Sequence, residues 1–207
     1  MSYSDTNLTG QRALRLPCLY QAVPGMQLHL DYLSRNDVTE AFRVVKKSAA
    51  RGANVGIDEY PDEKSFHESV GLSESFTLKD DNGQLNGLIL VCPFYMSRTI
   101  PVYLARIFIF SSADLDRLNA FRYLITLSKQ ITNDLGLHYS ACVMLVFRKC
   151  ESMLLELKRQ KFLVVACLPL GGELVDQGPC ETFVLYSELA GEEPAEVSVC
   201  IHMDAFV

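Results

Sequence analysis

The sequence has no apolar run long enough to cross a membrane, no basic stripe, no Cys-x-x-Cys pair, and no charged leader followed by an apolar core. Each absence closes a class. A spanning helix needs about 20 consecutive apolar residues, so no membrane partner is expected. The opening Met-Ser-Tyr-Ser-Asp-Thr lacks the order of a secretory signal, so a cytoplasmic setting is expected, and the sequon Asn7-Leu-Thr9 carries no weight without a secretory route. With 19 Lys+Arg against 25 Asp+Glu the net charge is -6, which excludes nucleic acid as a partner, because phosphate contacts need clustered cations. The seven cysteines stand singly, several inside apolar runs such as Ser140-Ala-Cys142-Val-Met-Leu145, and read as buried small hydrophobes rather than zinc or redox groups.

What is present is the composition of one soluble domain: 207 residues, 49% hydrophobic and 21% charged. The chain is organised around 102–136. Residues 102–110 form an apolar run with one charge, Arg106, which is the pattern of a central strand covered on both faces. A Ser-Ser-Ala turn follows, and then a helix over 115–135 with apolar residues at three- and four-residue steps and a stop at Gly136. A buried strand that turns into a helix N-terminus is suited to an anion, since the first amides are unpaired and the dipole is positive there.

Around this unit the expected elements follow in order. Residues 1–25 are an irregular extension punctuated by Pro17 and Pro24-Gly25. Residues 26–33 alternate as a half-buried strand, 38–50 form an amphipathic helix, and 62–70 a short helix after Pro61. Runs at 74–79 and 84–92 flank Asn82-Gly83 and read as a hairpin. An apolar strand at 138–147 lies parallel to 102–110, since strand-helix-strand makes one right-handed crossover. A helix over 151–160 and two antiparallel strands at 162–168 and 181–186 complete the domain at 187. The tail, 188–207, carries an alternating stretch over 197–203, a further edge strand.

This order, over about 26–187, resembles the GNAT superfamily of N-acetyltransferases. The segment 146–162 is similar to the family's closing strand and helix, with Cys150 where Asn is usual, Lys161 where the Gly of Gly-Phe is usual, and Leu157 where many members carry an acidic tyrosine. The resemblance implies an α/β (α+β) fold: a mixed, mostly antiparallel sheet with a central parallel pair that splays apart, and helices on both faces. It implies acetyl-CoA as acyl donor and an amine acceptor, with a homodimer left open.

Residue by residue, the resemblance places the pantetheine arm along Ile107, Phe108, Ile109, Phe110 and Ser111, with Cys150 alongside and 144–147 across the wedge. The pyrophosphate motif Gln/Arg-x-x-Gly-x-Gly/Ala falls on 116–121, so Arg117, Leu118, Asn119, Ala120 and Phe121 are its contacts. Both glycines are gone; Asn119 tolerates a left-handed backbone, while Phe121 is large and Asp116 opposes the dipole. Arg117 and Arg122 offer charge-assisted bonds instead. The acidic loop at Asp58 and Glu59 borders the acceptor. Two functions stay open: an N-acyltransferase in which an oriented amine attacks the thioester, or a GNAT-fold binding or regulatory module without catalysis.

Overall fold

The computed structural model describes residues 16–23, 26–56, 59–94, 104–113, 115, 121–134, 139–175 and 178–189. Its strands are β1 (Cys18–Val23), β2 (Met26–Tyr32), β3 (Glu74–Lys79), β4 (Leu85–Phe94), β5 (Leu104–Ser111), β6 (Ala141–Phe147), β7 (Leu163–Leu174) and β8 (Gly178–Glu188). Helices α1 (Val38–Ala50), α2 (Glu63–Gly71), α3 (Phe121–Asp134) and α4 (Glu151–Arg159) join them. One eight-stranded sheet has the order β1-β2-β3-β4-β5-β6-β8-β7. Every pairing is antiparallel except β5 with β6, the expected central parallel pair.

Alternation along the strands decides which residues meet which layer. Ile89, Val91, Ala105, Ile107, Ile109, Cys142, Met144 and Val146 face α3 and α4, meeting Leu124, Ile125, Met153 and Leu157 in the larger core. Their neighbours Leu88, Leu90 and Phe110 face α1 and α2, where Val38, Ala41, Val45 and Phe66 cover them. Helix α1 has the expected helical stripe, and α2 contributes Phe66. Helix α2 starts at a capping box, Asp62 accepting from Ser65 N at 2.7 Å, which satisfies an amide the helix itself cannot.

Two turns show what the local sequence dictates. In the β3–β4 turn Gly83 takes φ +78 and Asp80 Oδ1 accepts from the amides of Asn82 and Gln84, both at 2.9 Å. At the end of α4, Lys161 adopts φ 65, the left-handed position that Gly fills in the family's Gly-Phe. Phe162 N then bonds to Leu157 O at 3.0 Å and Lys161 N to Lys158 O at 3.1 Å, which is a Schellman ending made without glycine.

The structure differs from the expectations in three places. The N-terminal segment is not irregular throughout: Cys18–Val23 pairs with β2, because Pro17 and Pro24 flank this strand and interrupt none of its ladder. Strand β7 runs on to Leu174 through a bulge between Leu168 and Gly172, well past the expected end. Being the sheet edge, it leaves Cys167 only half-buried, unlike the fully buried Cys142. The stretches at 197–203 and 135–138 lie outside the described residues.

Candidate active site

Among the described residues β5 and β6 pair at Leu104↔Ala141, Ala105↔Cys142 and Arg106↔Val143, and no further. Beyond them each strand keeps its outer partner, β5 pairing with β4 to Ser111 and β6 with β8 to Phe147, while the two inner edges part. A wedge of unpaired strand edge opens inside the sheet. Backbone groups there need partners, and whatever supplies them occupies the wedge.

On the β6 side the partner is a side chain. Asn54 Nδ2 donates to Leu145 O at 3.1 Å, and its Oδ1 accepts from Phe147 N at 2.8 Å, so one carboxamide imitates a strand's peptide group. The turn after α1 delivers it: Gly52 at φ 66 is followed by Asn54 at φ 55, a left-handed position that Asn tolerates better than most residues. On the β5 side, α1 covers only the far end, where Ser48 Oγ and Arg51 Nη2 donate to Ser111 O at 2.9 and 2.6 Å. The wedge is therefore one-sided: β6 is closed by Asn54, and β5 is left open from Ile107 to Phe110 among the described residues.

Two clefts meet at Asn54, which lines both. The first, of about 50 Å³, is bounded by Glu59, Arg106, Phe108, Phe110, Gly171 and Thr182. Arg106 Nη2 donates to Glu59 Oε1 at 3.3 Å, and its guanidinium lies 4.1 Å from the centroid of the Phe108 ring. Next to Glu59, Tyr60 is anchored edge-on against Phe66 and Phe110, and burial pushes its hydroxyl up to about 12. Thr182 Oγ1 is buried and, among the described residues, has no hydrogen-bond partner. The bulge brings Gly171 and Gly172 in so closely that a Cβ on Gly171 would fall on Thr182, and one on Gly172 would sit 2.7 Å from Phe147. Asp58 lies outside the described residues, so of the expected acidic pair Glu59 is seen at the cleft.

The second cleft, of about 360 Å³, lies between the α1 turn and the start of α4, lined by Gly52, Phe121, Lys149, Cys150 and Ser152. Cys150 Sγ faces Gly52 O at 3.8 Å, and burial raises its thiol above the usual range. Phe121 packs on the larger core and opens α3. Arg117, Leu118, Asn119 and Ala120 lie outside the described residues. Leu157, at the expected tyrosine position, is fully buried and offers no proton donor to either cleft.

Of the residues expected from the sequence, Glu59 lines the smaller cleft and Cys150 and Phe121 the larger one; Arg106, Asn54 and Thr182 line them without having been expected there. The only signal for Arg106 was its being the one charge in an otherwise apolar central strand. Among the described residues no group of His, Cys, Asp and Glu could hold a metal, and no helix is long and apolar enough to cross a membrane.

A central parallel pair that splits beyond Arg106 and Val143, in a sheet otherwise antiparallel, gives this chain the fold of the GNAT-superfamily N-acetyltransferases. A protein provisionally assigned as a phosphinothricin N-acetyltransferase superposes with TM-score 0.68 at 18% identity, over 79% of this chain and 99% of that one. The GNAT-superfamily phosphinothricin acetyltransferase of Sinorhizobium meliloti, solved with acetyl-CoA, gives 0.65 at 14%, over 82% and 94%. The spermidine N-acetyltransferase of Vibrio cholerae, solved with CoA and spermine, gives 0.59 at 15%, over 78% and 95%. No protein-family profile and no curated protein sequence matches the chain.

Proposed function

We propose that the protein is an acetyl-CoA-dependent N-acyltransferase that acts on an amine. The observation that carries this reading is the one-sided wedge: Asn54 satisfies β6 while the β5 edge from Ile107 to Phe110 keeps its backbone groups for a strand-like ligand arm. Extended amide-bearing arms bind by completing such an edge. Cys150 and Phe121, which line the larger cleft, would flank the arm. The diphosphate end falls to Arg117, Leu118, Asn119 and Ala120, with arginine side chains in place of a glycine cradle.

Bound there, acetyl-CoA supplies an acetyl group activated as a thioester. The chain's own contribution is positioning. Glu59, with Asp58 beside it in sequence, accepts an N–H of the amine and takes up its proton at a carboxylate oxygen, directly or through water. Phe108 and Phe110, stacked with centroids 6.1 Å apart, keep water from the approach. Holding the amine at the mouth of the wedge supplies the orientation on which amide formation depends: the new C–N bond would replace the thioester C–S bond, and the sulfur would leave with the coenzyme as its thiol.

The same proposal includes a second copy as partner. Strand β7 is a sheet edge on which Leu163, Val164, Val165 and Leu168 are exposed, and residues 163–168, ahead of Pro169 and the bulge, carry no charge to discourage pairing. Sedimentation equilibrium reads this directly.

The test of acyl transfer is thermal melting with and without acetyl-CoA, followed by thiol release in the presence of amines. A ligand at a hundred times its dissociation constant adds about 2.7 kcal/mol of stability. A silent melt and silent calorimetry would leave the fold as a non-catalytic binding module.

A further inference from the structure

Arg106 stands at the last residue pair before the wedge opens, on the strand face that carries Phe108 and Phe110 under the α1–α2 loop. Arg106 and Glu59 are the charged residues lining the smaller cleft, and their side chains are 27% and 29% exposed. Their contact is a single long one, Nη2 to Oε1 at 3.3 Å. Among the described residues, the rest of the guanidinium fork and Glu59 Oε2 make no hydrogen bond. The cation is fixed, stacked on Phe108 and carried by a central strand, whereas the anion sits on a loop. In the same cleft Thr182 adds a buried hydroxyl without a partner among the described residues.

These groups call for complementary ones. A polyamine would bring a second cation up to Arg106, and a simple anion would meet Glu59. A molecule with both charges on neighbouring atoms satisfies the two at once, parting the ion pair without leaving either charge unmatched. The cleft exceeds the ~10–15 Å³ that one water requires and, at about 50 Å³, suits a small polar head rather than a whole large ligand.

The geometry points to an acceptor of the α-amino acid class, a primary amine with an adjacent carboxylate. Arg106 takes the carboxylate in a two-pronged contact, Glu59 the amine, and Thr182 Oγ1 one further hydrogen bond. This inference rests on the acyl-transfer reading. The solved neighbours include both phosphinothricin and spermidine acetyltransferases, so the choice of class comes from the Arg106–Glu59 pair.

The experiment compares kcat/KM for the standard L-α-amino acids with that for the matching amines lacking the carboxylate, and with spermine. A charge-assisted contact corresponds to a preference of about tenfold to a hundredfold for at least one amino acid over its amine. Arg106→Gln should collapse that ratio through KM, and Arg106→Lys, which keeps charge but loses the fork, should restore part of it. Acetyl-CoA affinity by calorimetry serves as the control for folding and for the donor site. Should Arg106→Gln fail to fold, Glu59→Gln must weaken amino-acid binding. Amino-acid binding is also measured by calorimetry without the coenzyme, so failed acetyl-CoA binding overturns acyl transfer while the cleft is still judged. Preference for spermine or the decarboxylated amines, or a ratio unmoved by Arg106→Gln, would overturn the inference.

Discussion

Asn54 and Phe147 are 93 residues apart, yet the carboxamide of one accepts the backbone N–H of the other at 2.8 Å, as a neighbouring strand would. The same side chain donates to Leu145 O, so one residue closes the β6 edge of the wedge.

Replacing Asn54 with Ala removes both bonds and puts an alanine at φ 55. Each bond contributes about 0.5–1.5 kcal/mol, and the left-handed backbone costs about 1–2 kcal/mol for a residue other than Gly or Asn. Urea titration should show a loss of about 2–5 kcal/mol. Asn54→Gly relieves the backbone alone and should fall between; a loss below about 0.5 kcal/mol for Asn54→Ala would show that the β6 edge does not need its partner.

Lys161→Gly should stabilise the protein. Lys161 holds a left-handed backbone that costs a non-glycine residue about 1–2 kcal/mol, partly offset by glycine's greater freedom when unfolded, of about 0.5–1 kcal/mol. Its side chain is exposed and its charge is not part of a cleft. A rise of up to about 1 kcal/mol in denaturant stability is expected.

The two bulge glycines should rank in a definite order. A Cβ at Gly171 meets the branched Cβ of Thr182, which cannot move without its strand, whereas one at Gly172 meets the far edge of the Phe147 ring. Both substitutions overpack, at about 1–3 kcal/mol, and Gly171→Ala should be the more costly in parallel melts. The reverse order would mean that the Phe147 ring is the more tightly held.

Alkaline pH should weaken the fold over a defined window. Burial pushes Cys142 from 9.0 up to about 12, Lys129 offsetting part of this, and it lifts Tyr60 from 10.0 to about 12. The folded state thus favours the protonated forms. Their contribution is fully present below the unfolded values and is lost as pH rises through the folded ones, from about 9 to about 12. Tyr60→Phe and Cys142→Ala should each flatten the decline measured by denaturant melts at stepped pH.

If acetyl-CoA binds through charge rather than a glycine cradle, Arg117→Ala should weaken its calorimetric affinity about tenfold or more with an unchanged melting curve. Equal affinity for the variant and the parent would remove Arg117 from the site.

The fold was legible because its signals are local. Alternation marked β2, a Gly in the tight turn marked the β3–β4 hairpin, and apolar runs marked β5 and β6. Strand β1 was hidden by prolines that look like breakers but sit just outside it. The site was half legible. Glu59 and Cys150 stand in recognisable local patterns, whereas Asn54 acts on atoms 91 and 93 residues away through a left-handed turn, which no periodicity reports. Arg106 read as an exception to a buried strand. Its meaning depends on the residue pair at which β5 and β6 part, a relation between two distant segments. Thr182 gained significance only from the bulge that carries Gly171 against it.

The position of β8 has a consequence for synthesis. This strand comes last in the described chain yet lies between β6 and β7. A nascent chain therefore displays β7, with its exposed leucines and valines, before β8, its neighbour in the finished sheet, exists, and β6 waits with one edge bare. Both are met only when Glu188 has cleared the ribosome. Until then the unfinished chain is at its most adhesive, and a premature stop before Gly178 would leave it so, with two strands wanting the same missing partner.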